Sequence, residues 1–303
     1  MPKADNKEIV SACIKRWDAE DSRTVYFSEH FDEWILQIPD NIYDIVLRLL
    51  EKFEYYSQKS VNRSLYELGR KLDSCETFNG DTAVYTHIPS RKGIENSSID
   101  YLYDYKNIHG VTKYKVAIDL KKMNTEEFEN VVVIDDFCGS GGSLKYFLEV
   151  NSEYLRGKTV YYLVTYAMDE AITTLHTAAA EYNITLNILY INHAAKAFDD
   201  VTITDTPDEA RKLIKSFSQS VGIPKDRRLG VFKTESLVSF YGDTPNNTIG
   251  IFCYDTEKYF SLFPRSRDDS GTVKRPSPSS MRGEKKQRNI QNYNASIGES
   301  LYG

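Results

Sequence analysis

The sequence predicts an α/β protein: a parallel sheet flanked by helices, preceded by a helical N-terminal unit and closed by a β-rich C-terminal hood. Three observations predict it. The run Val131–Ile134 is uniformly apolar and β-branched, as a strand buried on both faces requires. Strand-like and helix-like segments then alternate as far as Ile191, an order that builds a parallel sheet through right-handed crossovers. Upstream, between Pro39 and Leu72, apolar residues recur at the helical period instead.

Taken in order, a short helix is expected around Glu8 to Trp17. Asp40 suits an N-cap, and Ile42, Ile45, Val46, Leu49, Leu50 and Phe53 then repeat at i, i+3, i+4, i+7, i+8 and i+11, one buried face of an amphipathic helix. Val61, Leu65, Leu68 and Leu72 form a second such stripe, so residues 1–75 read as a helical unit. After Gly80 the period changes, and Thr82–Ile88, Ile99–Tyr105 and Tyr114–Ile118 read as strands. Beyond Val131–Ile134 come a helix from about Ser143 to Leu155, a strand Lys158–Tyr166, a helix Asp169–Tyr182 and a strand Thr185–Ile191. Pro207 opens a helix running to about residue 219. Ser236–Tyr241 and Thr248–Tyr254 suggest a hairpin turning at Pro245-Asn246-Asn247. Residues 76–264 therefore read as one α/β domain. From Arg265 the composition shifts to Ser, Pro, Lys and Arg, and residues 265–303 read as a disordered tail.

Composition bounds the function. A chain of 303 residues, 41% hydrophobic and 27% charged, can bury one large core or one core with a small appended unit. A net charge of −6 with pI ≈ 5.5 gives no general attraction to nucleic acid or to an anionic membrane, so any phosphate site must be local. The 4 cysteines, Cys13, Cys75, Cys138 and Cys253, are scattered without a CxxC, which argues against zinc and against a disulfide framework. No run of 18 apolar residues occurs and Met1–Asp5 is polar, so a cytoplasmic protein with no membrane partner is expected. The 22 Tyr and 14 Phe exceed what a minimal core needs.

One segment carries chemistry. Val131–Ile134 is followed by Asp135 and Asp136, then by Gly139, Ser140, Gly141, Gly142 and Ser143, then by a helix. Ligands of open parallel sheets sit beyond the carboxyl ends of the strands. Glycines let the backbone approach closely, a helix start offers free N–H groups, and the two serines add hydroxyls, which together suit one phosphate monoester. Two carboxylates beside a phosphate would repel it. They become useful if the ligand also carries vicinal hydroxyls, which an ionised carboxylate accepts, or if magnesium joins them. Ribose 5-phosphate has that layout. A P-loop would need a lysine after its second glycine, and a dinucleotide-binding turn would need its acid about 20 residues further on; neither fits. The bland reading is a strand–turn–helix with glycines for geometry, for which two adjacent acids and five small residues would be odd.

From Val131 through Ser143 the segment resembles the phosphoribosyl pyrophosphate motif of type I phosphoribosyltransferases: apolar strand, two acids, two variable residues, then a small, Ser/Thr-Gly-Gly-Ser/Thr loop. The resemblance implies that Asp135 and Asp136 contact the ribose hydroxyls and, with magnesium as cofactor, catalyse. It implies that Gly139 to Ser143 bind the 5-phosphate. The helical front end, Asp135-Asp136-Phe137-Cys138-Gly139-Ser140-Gly141, Thr244–Thr248 and Leu262–Arg265 are similar to a bacterial phosphoribosyltransferase-like family of conflict and antiphage systems, including effectors that accompany retrons. That implies a toxin-like effector with a protein, reverse-transcriptase or nucleic-acid partner, taking phosphoribosyl pyrophosphate or a nucleotide as ligand.

The chain also departs from the type I pattern. Where some of those enzymes carry an acid used as base on a purine, this one has Gly139. The diphosphate-binding turn is best sought at Ser90-Arg91-Lys92-Gly93, whose Arg91 and Lys92 could hold the leaving group, or could simply be solvated. Lys106, His109 and Lys113 are candidates for a flexible loop. His193, past the strand Thr185–Ile191, is a candidate base or a satisfied loop histidine. Asp169 is equally good as an N-cap, and Cys138 is a thiol nucleophile or a packing residue. Asn246 and Asn247 build a turn or close over the ligand, Arg265 is a rim contact, and the basic tail from Lys274 to Arg288 is a solvated tail or a nucleic-acid contact. The function these residues predict is transfer of phosphoribose to an unknown acceptor. The alternatives are a non-catalytic module that senses a nucleotide, and a hydrolase of a nucleotide N-glycosidic bond, which shares the oxocarbenium-like transition state.

Overall fold

The computed structural model describes residues 6–89 and 97–265. It opens with α1 (Asn6–Trp17), α2 (Ser22–Leu36) and α3 (Asp40–Lys52). The stripe read from the sequence is the buried face of α3: Ile42, Val46, Leu49 and Leu50 are at most 1% exposed. Each such side chain contributes about 1.5–3 kcal/mol by leaving water. Strand β1 (Glu54–Tyr56) follows at once, then α4 (Gln58–Asp73), capped by the Ser57 hydroxyl, which accepts from Ser60 N at 3.2 Å.

The main sheet begins with β2 (Ala83–His87), then α5 (Ser97–His109), β3 (Asn130–Cys138), α6 (Gly142–Val150), the single turn α7 (Ser152–Leu155), β4 (Thr159–Met168), α8 (Asp169–Glu181) and β5 (Thr185–Ala194). All four strands are parallel, in the order β2-β3-β4-β5. β2 also makes one parallel bridge, Tyr85 to Val116, on its outer edge. The chain therefore steps outward from β2 through α5 and afterwards returns inward to β3. The connections thus leave the β2–β3 pair in opposite directions, and ligands of open parallel sheets bind at the carboxyl ends of strands at such a point.

The chain closes with α9 (Pro207–Ser220), β6 (Val238–Phe240) and the short α10 (Gly250–Cys253). β6 pairs in parallel with β1, Glu54 opposite Val238. This small sheet joins the first helices to the last segment. Accordingly the apolar residues form two clusters, one on the main sheet with α4 and α5, the other between α1–α3 and residues 197–263. The second accounts for much of the aromatic excess. Phe263 lies 4.7 Å from Phe53, 5.4 Å from Trp17, 5.6 Å from Tyr55 and 5.7 Å from Phe27, ring centre to ring centre.

Three expectations are corrected. Ile99–Tyr105 lies within α5, not in a strand. Its Tyr101, Leu102 and Tyr105 are buried at helical spacing, a pattern that a short alternating aromatic stretch shares with a strand. Residues 236–254 form no hairpin. Ser236 and Thr248 meet in one parallel bridge, and 250–253 is a helix whose Gly250 backbone approaches Arg227 O so closely that a Cβ would lie 2.6 Å from it. The single helix expected from 143 to 155 breaks at Asn151, whose side-chain amide donates to Phe147 O at 2.9 Å. No helix among the described residues is long and apolar enough to cross a membrane.

Candidate functional site

The two acids sit within the carboxyl-terminal half of β3 rather than beyond it, Asp135 still opposite Val164 of β4. Asp135 is 8% exposed. Its Oδ2 accepts from the Tyr162 hydroxyl at 2.9 Å and its Oδ1 from Asp136 N at 3.0 Å. Asp136 Oδ1 accepts from Phe137 N at 2.8 Å, and the Ser97 hydroxyl, opening α5, bonds the same carboxylate. Burial holds the Asp135 carboxyl well above the usual range, and the neighbouring Asp136 charge pushes it further. Burial also raises Asp136, against the hydrogen bonds from Ser97 and Asp135. Two adjacent carboxylates, one of them buried, disfavour full ionisation until something positive or hydrogen-donating arrives. A sugar diol supplies donors and a divalent cation supplies charge.

The loop is set by contacts on both sides. A Cβ on Gly139 would lie 2.6 Å from Asn247 Cγ and 2.7 Å from Phe137 Cε1. Gly141, at φ +75°, is the N-cap of α6, and it has no side chain with which to cap the helix. Ser140 Oγ accepts a long bond from Gly142 N at 3.4 Å, and Ser143 is exposed on the first turn of α6. The first turn of α6 follows the acids directly along the chain, and the free amides and dipole of a helix start attract an anion.

Other candidates fall into three groups. Asn247 is a brace: its amide donates to Thr234 Oγ1 at 2.8 Å and Val231 O at 3.1 Å while its side chain presses on Gly139. Asn246 O accepts from Val231 N at 2.9 Å, so both asparagines tie the late turn to residues 231–234. Cys138 is buried, and burial with the Asp135 charge pushes its thiol up to about 12, which removes it as a nucleophile near neutrality. His193 Nδ1 lies 2.6 Å from Asp169 Oδ1, which brings together two residues picked separately. Lys106 and His109 do not approach the acids. α5 begins against them and runs away, so His109 lies about 18 Å along the axis from Ser97. There it meets Leu65 O at 3.0 Å. Lys113 lies over the Tyr114 ring, 5.0 Å from its centre, and Arg265 N donates to Cys253 O at 3.1 Å beside α10. Arg91, Lys92 and the basic tail lie outside the described residues.

Sequence reasoning missed three neighbours of the acids, Tyr162, Ser97 and Tyr101, and one residue opposite Ile134 on the adjacent strand, His87. Tyr162 comes from β4, Ser97 and Tyr101 from α5, and His87 from the end of β2. Tyr101 is completely buried, and its hydroxyl is held far from ionising by burial and by the Asp136 and Asp135 charges. Neither it nor His87 Nδ1 has a hydrogen-bond partner among the described residues. Burial lowers the His87 pKa, so this ring is neutral. No local motif announces these residues, because only strand register and the α5 crossover bring them near.

Magnesium would be held by Asp135 and Asp136, hard oxygen donors whose raised pKa values a cation would reverse. No group of three or more metal-binding side chains occurs among the described residues, so the ligand and water would have to complete the shell.

Structural comparison finds the Helicobacter pylori xanthine-guanine-hypoxanthine phosphoribosyltransferase, 15% identical, with 46% of this chain and 90% of that one covered and a TM-score of 0.31. The AQ2163 protein from Aquifex aeolicus is 13% identical, with 64% and 86% covered and a TM-score of 0.32. No curated protein sequence matches. A family model does match, over residues 31–265, spanning α3, both sheets and the acid-and-glycine segment: the chain belongs to the PRTase-CE family.

Proposed function

We propose that the chain binds phosphoribosyl pyrophosphate and transfers its phosphoribose to an acceptor, as an effector of a bacterial antiphage system. The observation that carries the reading is the direct succession, at one strand end, of an acid pair, Asp135 buried and Asp136 half-buried, and a glycine-serine loop that leads into a helix. In this reading Asp135 and Asp136 hold the ribose hydroxyls, and Gly139 to Ser143 hold the 5-phosphate. Arg91 and Lys92 are assigned the diphosphate. The carboxylates then sit beside the sugar as positive charge grows at C1, and they stabilise it. Bound magnesium would neutralise the leaving diphosphate.

Titration calorimetry with phosphoribosyl pyrophosphate and magnesium tests this. Binding by the native chain, and a loss of at least about 100-fold in affinity (about 2.7 kcal/mol) in the double variant Asp135→Asn, Asp136→Asn, is the expected result. Equal affinity in the two proteins would refute the assignment. A second reading, a module that senses a nucleotide without turnover, is favoured by one fact: residues 139–143 contain no group able to take a proton.

A further inference from the structure

A transfer reaction needs a base for the acceptor, and the phosphate loop contains none. His193 and Asp169 lie along the same sheet edge. Cys138 pairs with Ala167 of β4, and Ala167 pairs with His193 of β5, so the three lie in one row across the sheet. Two strand spacings place His193 about 10 Å from the start of the loop. His193 and Tyr166 both line a cleft of about 510 Å³ with Asn192 and Glu54. Phe137, which abuts Gly139, lies 6.1 Å from the Tyr166 ring. Loop and cleft are therefore neighbours, joined through one aromatic pair.

We propose that this cleft receives the acceptor, a molecule whose attacking atom is an O–H or N–H, and that His193 is its general base, oriented by Asp169. The proposal rests on the phosphoribose reading above. With Nδ1–H donating to Asp169 Oδ1 at 2.6 Å, the free lone pair of the ring is on Nε2. His193 is half exposed, its side chain 52% open, so an acceptor can reach it. In the step, a lone pair of the acceptor atom attacks C1. The C1–O bond to diphosphate breaks and diphosphate leaves with the bonding pair. The acceptor's proton passes to Nε2 and then to water. Asp169 is a positioning residue: it fixes the tautomer and stabilises the imidazolium that forms.

The test uses the full chain, phosphoribosyl pyrophosphate and magnesium, with water as the smallest acceptor. Diphosphate release and calorimetric affinity are measured for the native chain, His193→Gln, His193→Gly and Asp169→Asn. The expected result is unchanged affinity in all four, release reduced about 100-fold in His193→Gln and clearly reduced in Asp169→Asn, and recovery of His193→Gly by added imidazole. Native release in His193→Gln, or no release from a native chain that binds, overturns the base and leaves the phosphoribose site standing. Failure of the native chain to bind overturns both.

Discussion

Asp135 illustrates a side chain that works against the fold it belongs to. Its carboxyl is buried, and both desolvation and Asp136 raise its pKa above the value it has in an unfolded chain. The folded state therefore binds the proton more tightly. Stability is highest at pH values below the ordinary carboxylate range and falls as pH rises from there to the raised pKa. Asp135→Asn keeps an acceptor for the Tyr162 hydroxyl, removes the charge and removes this slope. Melting of the ligand-free chain at neutral pH should rise by about 2 °C or more, while ligand binding is lost. A lower melting temperature, with the pH slope intact, would show that the carboxylate is paid for elsewhere. Gly139 makes a complementary case, since Asn247 occupies the space that any side chain there would need. Gly139→Ala should cost about 1–3 kcal/mol in denaturant unfolding, and adding Asn247→Gly should recover part of it. Additive losses in the double variant would mean that the two residues do not touch.

At the scale of elements, the acids and the loop were legible because their chemistry is consecutive: strand, acids, small residues and helix follow one another without interruption. What joins them to the rest was not legible. Ser98, on the first turn of α5, donates to Ile134 O at 2.6 Å and accepts from Ile88 N at 2.9 Å. That hydroxyl fastens α5 between β2 and β3, beside Asp135, yet the stretch Ile99–Tyr105 alternates well enough to pass for a strand. Tyr114–Ile118 was closer, since one bridge at Val116 survives of the strand expected there. The segment 248–254 was misread because residues buried on every side, Ile249, Ile251 and Phe252, show no period to separate helix from strand. Ser98→Ala removes one acceptor of the Ile88 amide and the donor to Ile134 O. It should cost about 1–3 kcal/mol and speed hydrogen exchange at Ile88 more than elsewhere; uniform exchange would assign the hydroxyl no fastening role.

At the scale of the molecule, the site depends on a region far from it in the chain. The turn that braces Gly139 belongs to the segment 229–264, and that segment is held to the N-terminal helices by Arg23 of α2. This guanidinium is 7% exposed. It donates to Ser239 Oγ at 2.8 Å, Thr244 Oγ1 at 2.9 Å and Pro264 O at 3.1 Å, and it lies 3.6 Å from Asp243. Thr244 in turn donates to Phe263 O at 2.8 Å, so a single cation gathers β6, the start of the asparagine turn and the Phe263 end of the aromatic cluster. Burial opposes the Arg23 charge, and Asp243 is the largest influence favouring it, so this buried cation needs its partners in place. Removing it strands those partners. Arg23→Ala should lose about 3–5 kcal/mol in denaturant unfolding, against about 0–1 for the exposed Arg63→Ala. The loosened turn should also weaken phosphoribosyl pyrophosphate binding, although Arg23 belongs to α2 and to none of the elements that carry the acids or the loop. Equal losses in the two variants, or an unfolding penalty with native affinity, would separate the helical front end from the site and leave the second core a purely structural attachment.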